Sequence, residues 1–252
     1  MEIFIYIIGG LLAGLATGMV GLSAATIIAP LFATVLGMDP YIAIGIALAS
    51  DVFASAGSTY IYIKNKNINL KAAALLAIVI VIFTFVGSYI SADIKPGVLG
   101  GALNFLVIYL GLRFLIYPIK NITKPLNVRP RYIIVIAAIF FSIPIGLTSG
   151  MLGAGGGLSI LALLTMLLGF NLKKAVGTSV FIMTFVALIG AATHFAIKQP
   201  EILPVVIASL SAFIGANIAS IYANRIDEKL LNRIIGIFLL LYGITLVLVY
   251  YL

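Results

Sequence analysis

The chain has no cysteine and no tryptophan, a single histidine, and only seven acidic residues among 252. Without cysteine there is no disulfide, no thiolate nucleophile and no Cys-ligated metal. One histidine and a few scattered acids leave no cluster with metal-ligand spacing and no partnered nucleophile and base. No cofactor, metal or catalytic residue is expected, and the chain is not read as an enzyme. Charged residues make up 9% and hydrophobic ones 63%. Ordinary globular domains are about 25% charged and about 45–50% apolar. No soluble core absorbs that excess, so the composition predicts a polytopic membrane protein with the lipid bilayer as its surroundings. The net charge of +8 does not predict a nucleic-acid partner. The basic residues sit in short loops between apolar runs, where they orient helices in a bilayer. The N-terminus is apolar from Ile3, without a basic n-region or a small-residue cleavage site, and reads as the first membrane segment.

What is present is a duplication. Residues 14–21 read GLATGMVG and residues 146–153 read GLTSGMLG, 132 residues later. The same spacing pairs Gly37 with Gly169, Gly45 with Gly177, Phe53 with Phe185 and Gly111 with Gly243. The predicted organisation is a first transmembrane repeat over 1–117, a basic linker with three prolines over 118–131, and a second repeat over 132–252. A membrane protein of two halves, each opening on a glycine-broken helix, is a secondary-transporter layout.

A span takes about 20 residues. Clear spans are predicted at 41–63, 70–91, 97–117, 174–196, 202–222 and 231–252. The motif segments 3–36 and 132–169 are longer and carry a glycine cluster near the middle. Each reads either as one kinked span or as two short helices meeting at a break. If both go in and come back, Lys64, Lys66, Lys71, Arg113, Lys120, Lys124, Arg129, Arg131, Lys173, Lys174, Arg225, Lys229 and Arg233 share one side. Only Lys95 and Lys198 lie opposite. If both cross once, the basic residues divide 9 against 6. The positive-inside bias favours the first arrangement, an all-α bundle of inverted repeats with both termini outside and the linker in the cytoplasm.

The second motif continues Gly153-Ala154-Gly155-Gly156-Gly157-Leu158-Ser159. A helix resuming near Leu158 would aim free N–H groups and a positive dipole end at the break, which suits an anion. Irregular backbone at membrane depth is tolerated where it is buried in protein or lines a cavity. Gly150, Thr148, Ser149 and Ser159 lie nearby. The first motif offers Thr17, Gly18, Gly21 and Ser23, but Ala24 and Ala25 stand where the second has Gly156 and Gly157. The halves are therefore not equivalent, and the second is favoured for substrate contact. Close helix packing is the competing reading of these glycines.

Thr178 and Ser179 begin a span just after Lys173 and Lys174, either as donors to an anion or bonded to their own helix. Asp51 is the one carboxylate placed well inside a span, a candidate for proton or Na⁺ coupling or for pairing with a neighbouring hydroxyl or amide. Its counterpart is Met183. His194, near a span end beside Lys198, reads as an interfacial histidine. Asn104 and Asn217 read as interhelical hydrogen-bond partners. Gly156→Val is expected to abolish transport and leave insertion intact.

The run Gly146-Leu147-Thr148-Ser149-Gly150-Met151-Leu152-Gly153-Ala154-Gly155-Gly156-Gly157-Leu158, followed by Ala175-Val176-Gly177-Thr178-Ser179, resembles the sulfite exporter TauE/SafE family of membrane transporters. Gly14, Gly18, Gly21 and Pro30 carry the resemblance in the first half. It extends over nearly the whole chain. It implies a cytoplasmic-membrane carrier of a small anion, such as sulfite, a sulfonate or an organic oxyanion, working by alternating access around the two breaks. The chain departs from the family pattern at Leu22-Ser23-Ala24-Ala25, in place of a glycine cluster, and at Leu161-Ala162-Leu163, where a proline is often found. A passive anion channel and a non-transporting assembly subunit are the alternatives.

Overall fold

The computed structural model describes residues 1–116, 131–154, 156–223 and 228–251. Most of the linker 118–131 and the basic residues Lys120, Lys124, Arg129 and Arg225 lie outside the described residues, as does Gly155. The described chain is helical: α1 Glu2–Val20, α2 Ala25–Val35, α3 Pro40–Lys64, α4 Leu70–Ser91, α5 Pro96–Ile116, α6 Arg131–Leu152, α7 Gly156–Ala162, α8 Leu172–Ile197, α9 Ile202–Ala223 and α10 Glu228–Tyr251. One π-helical stretch, Leu163–Leu167, extends α7. Seven of these helices are long and apolar enough to cross a membrane. All six predicted clear spans coincide with helices: α3, α4, α5, α8, α9 and α10.

The motif segments are each two helices, of unequal length. α1 has 19 residues, about 28 Å at 1.5 Å per residue. α2 has 11. Each first helix stops at a glycine in the left-handed region, Gly21 at φ 69° and Gly153 at φ 66°. A Cβ there would meet its own backbone, so the glycine ends the helix where L residues would continue it. Gly37 and Gly169, the next repeat-paired glycines, also have positive φ, 64° and 66°. Past its break α2 turns back along α1. The rings of Tyr6 and Phe32 meet edge to face at 5.1 Å, and Gly9 lies against Leu31.

The glycine stripes settle how the halves interlock. A Cβ on Gly14 would strike the Ala212 carbonyl, and one on Gly18 the Ala216 carbonyl. In the other half a Cβ on Gly146 would come 2.5 Å from the Ile80 carbonyl, and one on Gly150 would strike that of Thr84. Each partner pair is again 132 residues apart. So α1 of the first half packs backbone to backbone on α9 of the second, and α6 on α4 of the first. Small residues permit this approach, which supplies the packing that lipid does not. Replacing Gly14 by Val is expected to cost about 1–3 kcal/mol through overpacking, read as a lower melting temperature of the detergent-solubilised protein.

At the centre, α3 and α8 run antiparallel. Gly45 on α3 lies against His194 and Phe195 near the end of α8, and Gly177 near the start of α8 lies against Tyr62 and Asn67. α5 and α10 are also antiparallel: Gly111 meets Leu240 and Gly243 meets Ile108.

Candidate functional site

The two breaks meet in the protein interior. The carbonyl of Gly153 accepts from the Ser23 hydroxyl at 3.0 Å. A Cβ on Gly157 would strike the Gly21 carbonyl and come 2.6 Å from Met183 Sδ and 3.1 Å from Ser23 N. Ser179 on α8 donates to the Gly157 carbonyl at 3.0 Å. Gly21, Ser23, Gly153, Gly156, Gly157 and Ser179 are all buried.

Asp51 on α3 completes this junction. Its Oδ1 accepts from the backbone N–H of Ala24 at 3.0 Å, and its Oδ2 lies 2.7 Å from Ser23 Oγ. Ser23 Oγ also accepts from Ala25 N at 3.3 Å. The carboxyl therefore caps the start of α2, at the place where the helix dipole favours an anion. Its counterpart in the second half is Met183, so α7 has no internal acid at the equivalent place.

Other predicted site residues do different work. Thr17 donates to Ala13 O, Thr148 to Pro144 O and Ser149 to Ile145 O, all within their own helices. Thr148 is exposed and Ser159 half-buried. Gly18 and Gly150 are close-packing positions against α9 and α4. Gly156 faces Ser149 Oγ rather than backbone. Thr178 donates to Lys174 O at 2.6 Å and accepts from Asn69 N at 3.1 Å, which ties α8 to the start of α4. Asn104 accepts from Thr34 across α5 and α2. Asn217, by contrast, donates to Phe213 O within its own helix.

His194 corrects the interfacial reading. It is fully buried, between the carbonyls of Tyr41 and Gly150. The sequence placed it near a helix end. Only packing shows that α3 and α6 cover that end. The spacing of 132 carries a signal for it, pairing His194 with Tyr62, whose hydroxyl donates to Gly18 O at 3.3 Å.

Above His194, Lys198 Nζ lies 2.7 Å from Asp39 Oδ2. Burial pulls the Asp39 carboxyl up, but the Lys198 ammonium and the N–H groups of Tyr41 and Ile42 outweigh it and hold it below the usual value. A lowered carboxyl stabilises the fold above its unfolded pKa, and that contribution is lost as pH falls through the folded one. Lys198→Met is thus expected to lower stability by under about 1 kcal/mol at neutral pH. The difference should vanish well below the ordinary aspartate value of about 3.9, read from melting temperatures across pH.

An all-helical, multi-pass membrane protein in which two similar halves bring their helix breaks together has the architecture of a secondary transporter. The chain belongs to the Sulfite exporter TauE/SafE family, whose model matches residues 6–246. A protein of Bacillus subtilis (strain 168) described as "Probable membrane transporter protein YunE" is 24% identical over 270 residues, covering 98% of each chain.

Proposed function

We propose that this membrane transporter carries a small oxyanion, sulfite or a sulfonate before other organic anions, across the cytoplasmic membrane by alternating access. The observation that carries this reading is the Ser23-to-Gly153 bond, with Gly157 packed on Gly21. Irregular backbone from both halves converges at one buried point, the arrangement in which transporters hold substrate. The antiparallel contacts of α3 with α8 and of α5 with α10 support reading 1–117 and 132–252 as inverted repeats. α3 and α8 occupy matching places in the two halves, and a two-fold axis in the membrane plane turns one into the other.

Substrate is assigned to the second break. At the first, Asp51 already accepts from Ala24 N. At the second, Met183 stands at the acid's place and Gly156 and Gly157 lack side chains. Asp51 is the coupling residue in this reading. Ser23 has one hydroxyl hydrogen and two oxygens facing it, Asp51 Oδ2 at 2.7 Å and Gly153 O at 3.0 Å. A proton on Asp51 satisfies both: Asp51 donates to Ser23, and Ser23 donates to Gly153. Loss of that proton leaves the two breaks competing for one hydrogen. An inside-negative potential favours anion efflux by about 2.3 kcal/mol per charge per 100 mV.

The test is current from the purified protein in liposomes on a solid-supported membrane, challenged with sulfite, sulfate, thiosulfate, methanesulfonate and acetate. A saturable response to a sulfur oxyanion supports a carrier, and a non-saturating one supports a channel. Silence to every anion, with pH-jump flux also absent, overturns the assignment.

A further inference from the structure

The environment of His194 contains a mismatch that one proton resolves. Its Nδ1 is 3.1 Å from the Tyr41 carbonyl oxygen and its Nε2 is 3.1 Å from that of Gly150. Both neighbours only accept. A neutral imidazole has one N–H and one lone pair, so it serves one carbonyl and turns a lone pair on the other. An imidazolium donates to both.

His194 is fully buried, which costs a cation its hydration, and two features of the surroundings offset that cost. Gly150 lies in the last turn of α6, which ends at Leu152. The orphan carbonyls and negative dipole end of a helix C-terminus favour positive charge. The Tyr41 ring stacks on the imidazole with centroids 4.0 Å apart, and an aromatic face attracts a cation. At this end of α3 and α8 the ionisable groups are Tyr41 itself and the Asp39–Lys198 pair, with Lys198 Nζ 5.6 Å from the Tyr41 ring centroid, while Asp93, Lys95 and Glu201 lie in the neighbouring loops. The pair's charges offset one another. From α6 the contact is Gly150, and Ser88 of α4 donates to the same Gly150 carbonyl at 3.3 Å. The residues of α7 and its π-helical extension include no ionisable side chain. Asp51 is further along α3, about 15 Å from Tyr41 at 1.5 Å per residue.

The other half holds a matching contact without the titratable group. Tyr62, Gly18 and Ser220 stand 132 residues from His194, Gly150 and Ser88. Tyr62 donates to the Gly18 carbonyl at 3.3 Å, and Ser220 Oγ lies 3.5 Å from the same oxygen. Two equivalent latches therefore hold the last turns of α1 and α6. They lie at opposite ends of the α3/α8 pair, about 31 Å apart along α3 from Tyr41 to Tyr62. A phenol does not titrate near neutral pH, and an imidazole does.

The geometry points to His194 as a proton-binding site that latches one end of the α3/α8 pair to the second glycine motif. With the proton bound, Tyr41 and Gly150 are both held. Without it, one contact opens. Resting on the transporter reading above, this makes one of two gates proton-dependent and gives the carrier a coupling proton besides that of Asp51.

The chain has one histidine, so ¹⁵N-histidine labelling reports this site alone. The full-length protein in lipid bilayers is titrated between about pH 5 and 8 by solid-state NMR. Both ring nitrogens are expected to be protonated at the acidic end, with one proton released within the window. A ring that stays neutral throughout, or stays doubly protonated throughout, overturns the proposal. That readout is independent of substrate, so it survives failure of the anion assignment. The second measurement is sulfite flux in His194→Tyr, which copies the latch of the other half, with folding checked by melting temperature. Across the window found by NMR, wild-type flux should change about tenfold or more, the size of one charged hydrogen bond. In H194Y that step should be absent. An unchanged pH profile in H194Y overturns the coupling role, whatever the NMR result.

Discussion

A Gly157→Val protein should insert, fold and carry no anion. The two breaks touch where Gly157 has no side chain, and a Cβ there would strike the Gly21 carbonyl, with Met183 Sδ at 2.6 Å and Ser23 N at 3.1 Å. Backbone cannot rotate aside, so the junction must open. The same crowding makes even Gly157→Ala costly. About 1–3 kcal/mol of overpacking corresponds to a flux loss of about tenfold or more at equal expression. Gly156→Ala is the control. Its Cβ would face the Ser149 hydroxyl, a small group that can give up its bond to Ile145 O for another rotamer where backbone cannot move, so flux should fall by less than in Gly157→Ala. Equal flux through Gly157→Ala and wild type would remove the break junction from the transport path. The sequence alone put the weight on Gly156→Val. In the fold the tighter backbone contact is one residue on, at Gly157.

Two substitutions at Asp51 should separate its structural role from its titration. Asp51→Ala leaves the Ala24 N–H without its acceptor and Ser23 without one of its three partners. One buried unsatisfied group costs about 1–3 kcal/mol, and the start of α2 loses its cap. The melting temperature should drop by several degrees. Asp51→Asn keeps both contacts: its oxygen accepts from Ala24 and its amide donates to Ser23, as a protonated Asp51 would. Its stability should stay near that of the wild type. Anion flux should become independent of the pH steps that Asp51 controls, and proton movement accompanying the anion should fall by at least about tenfold. Wild-type proton coupling in Asp51→Asn would rule out Asp51 as the coupling residue.

Each latch also explains a pairing that looked featureless in the sequence. Gly45 and Gly177 align across the repeat. In the fold, Gly45 gives His194 room against α3, and Gly177 gives the Tyr62 end of α3 room against α8. The absence of a side chain at these places is what lets each latch approach its motif glycine.

The sequence by itself determined the membrane class, the helices and the duplication. Apolar runs of span length need no partner to be recognised, because lipid forces each to satisfy its own backbone. The glycines that end α1 and α6 were legible for the same local reason, since a left-handed residue is a property of its own φ and ψ. What the glycines and hydroxyls do was not local. Gly18 and Gly150 sit in the same motifs as Gly21 and Gly153, yet they serve packing against α9 and α4. Thr17, Thr148 and Ser149 spend their hydroxyls on their own helices, whereas Ser23 reaches across 130 residues to Gly153. Asp51 could be marked as buried and unusual from its place in a span, but not as the cap of α2. His194 looked peripheral until α3 and α6 closed over it. Only the tertiary structure decided these, because hydrogen-bond partners and close approaches depend on which helices the interlocked halves bring side by side.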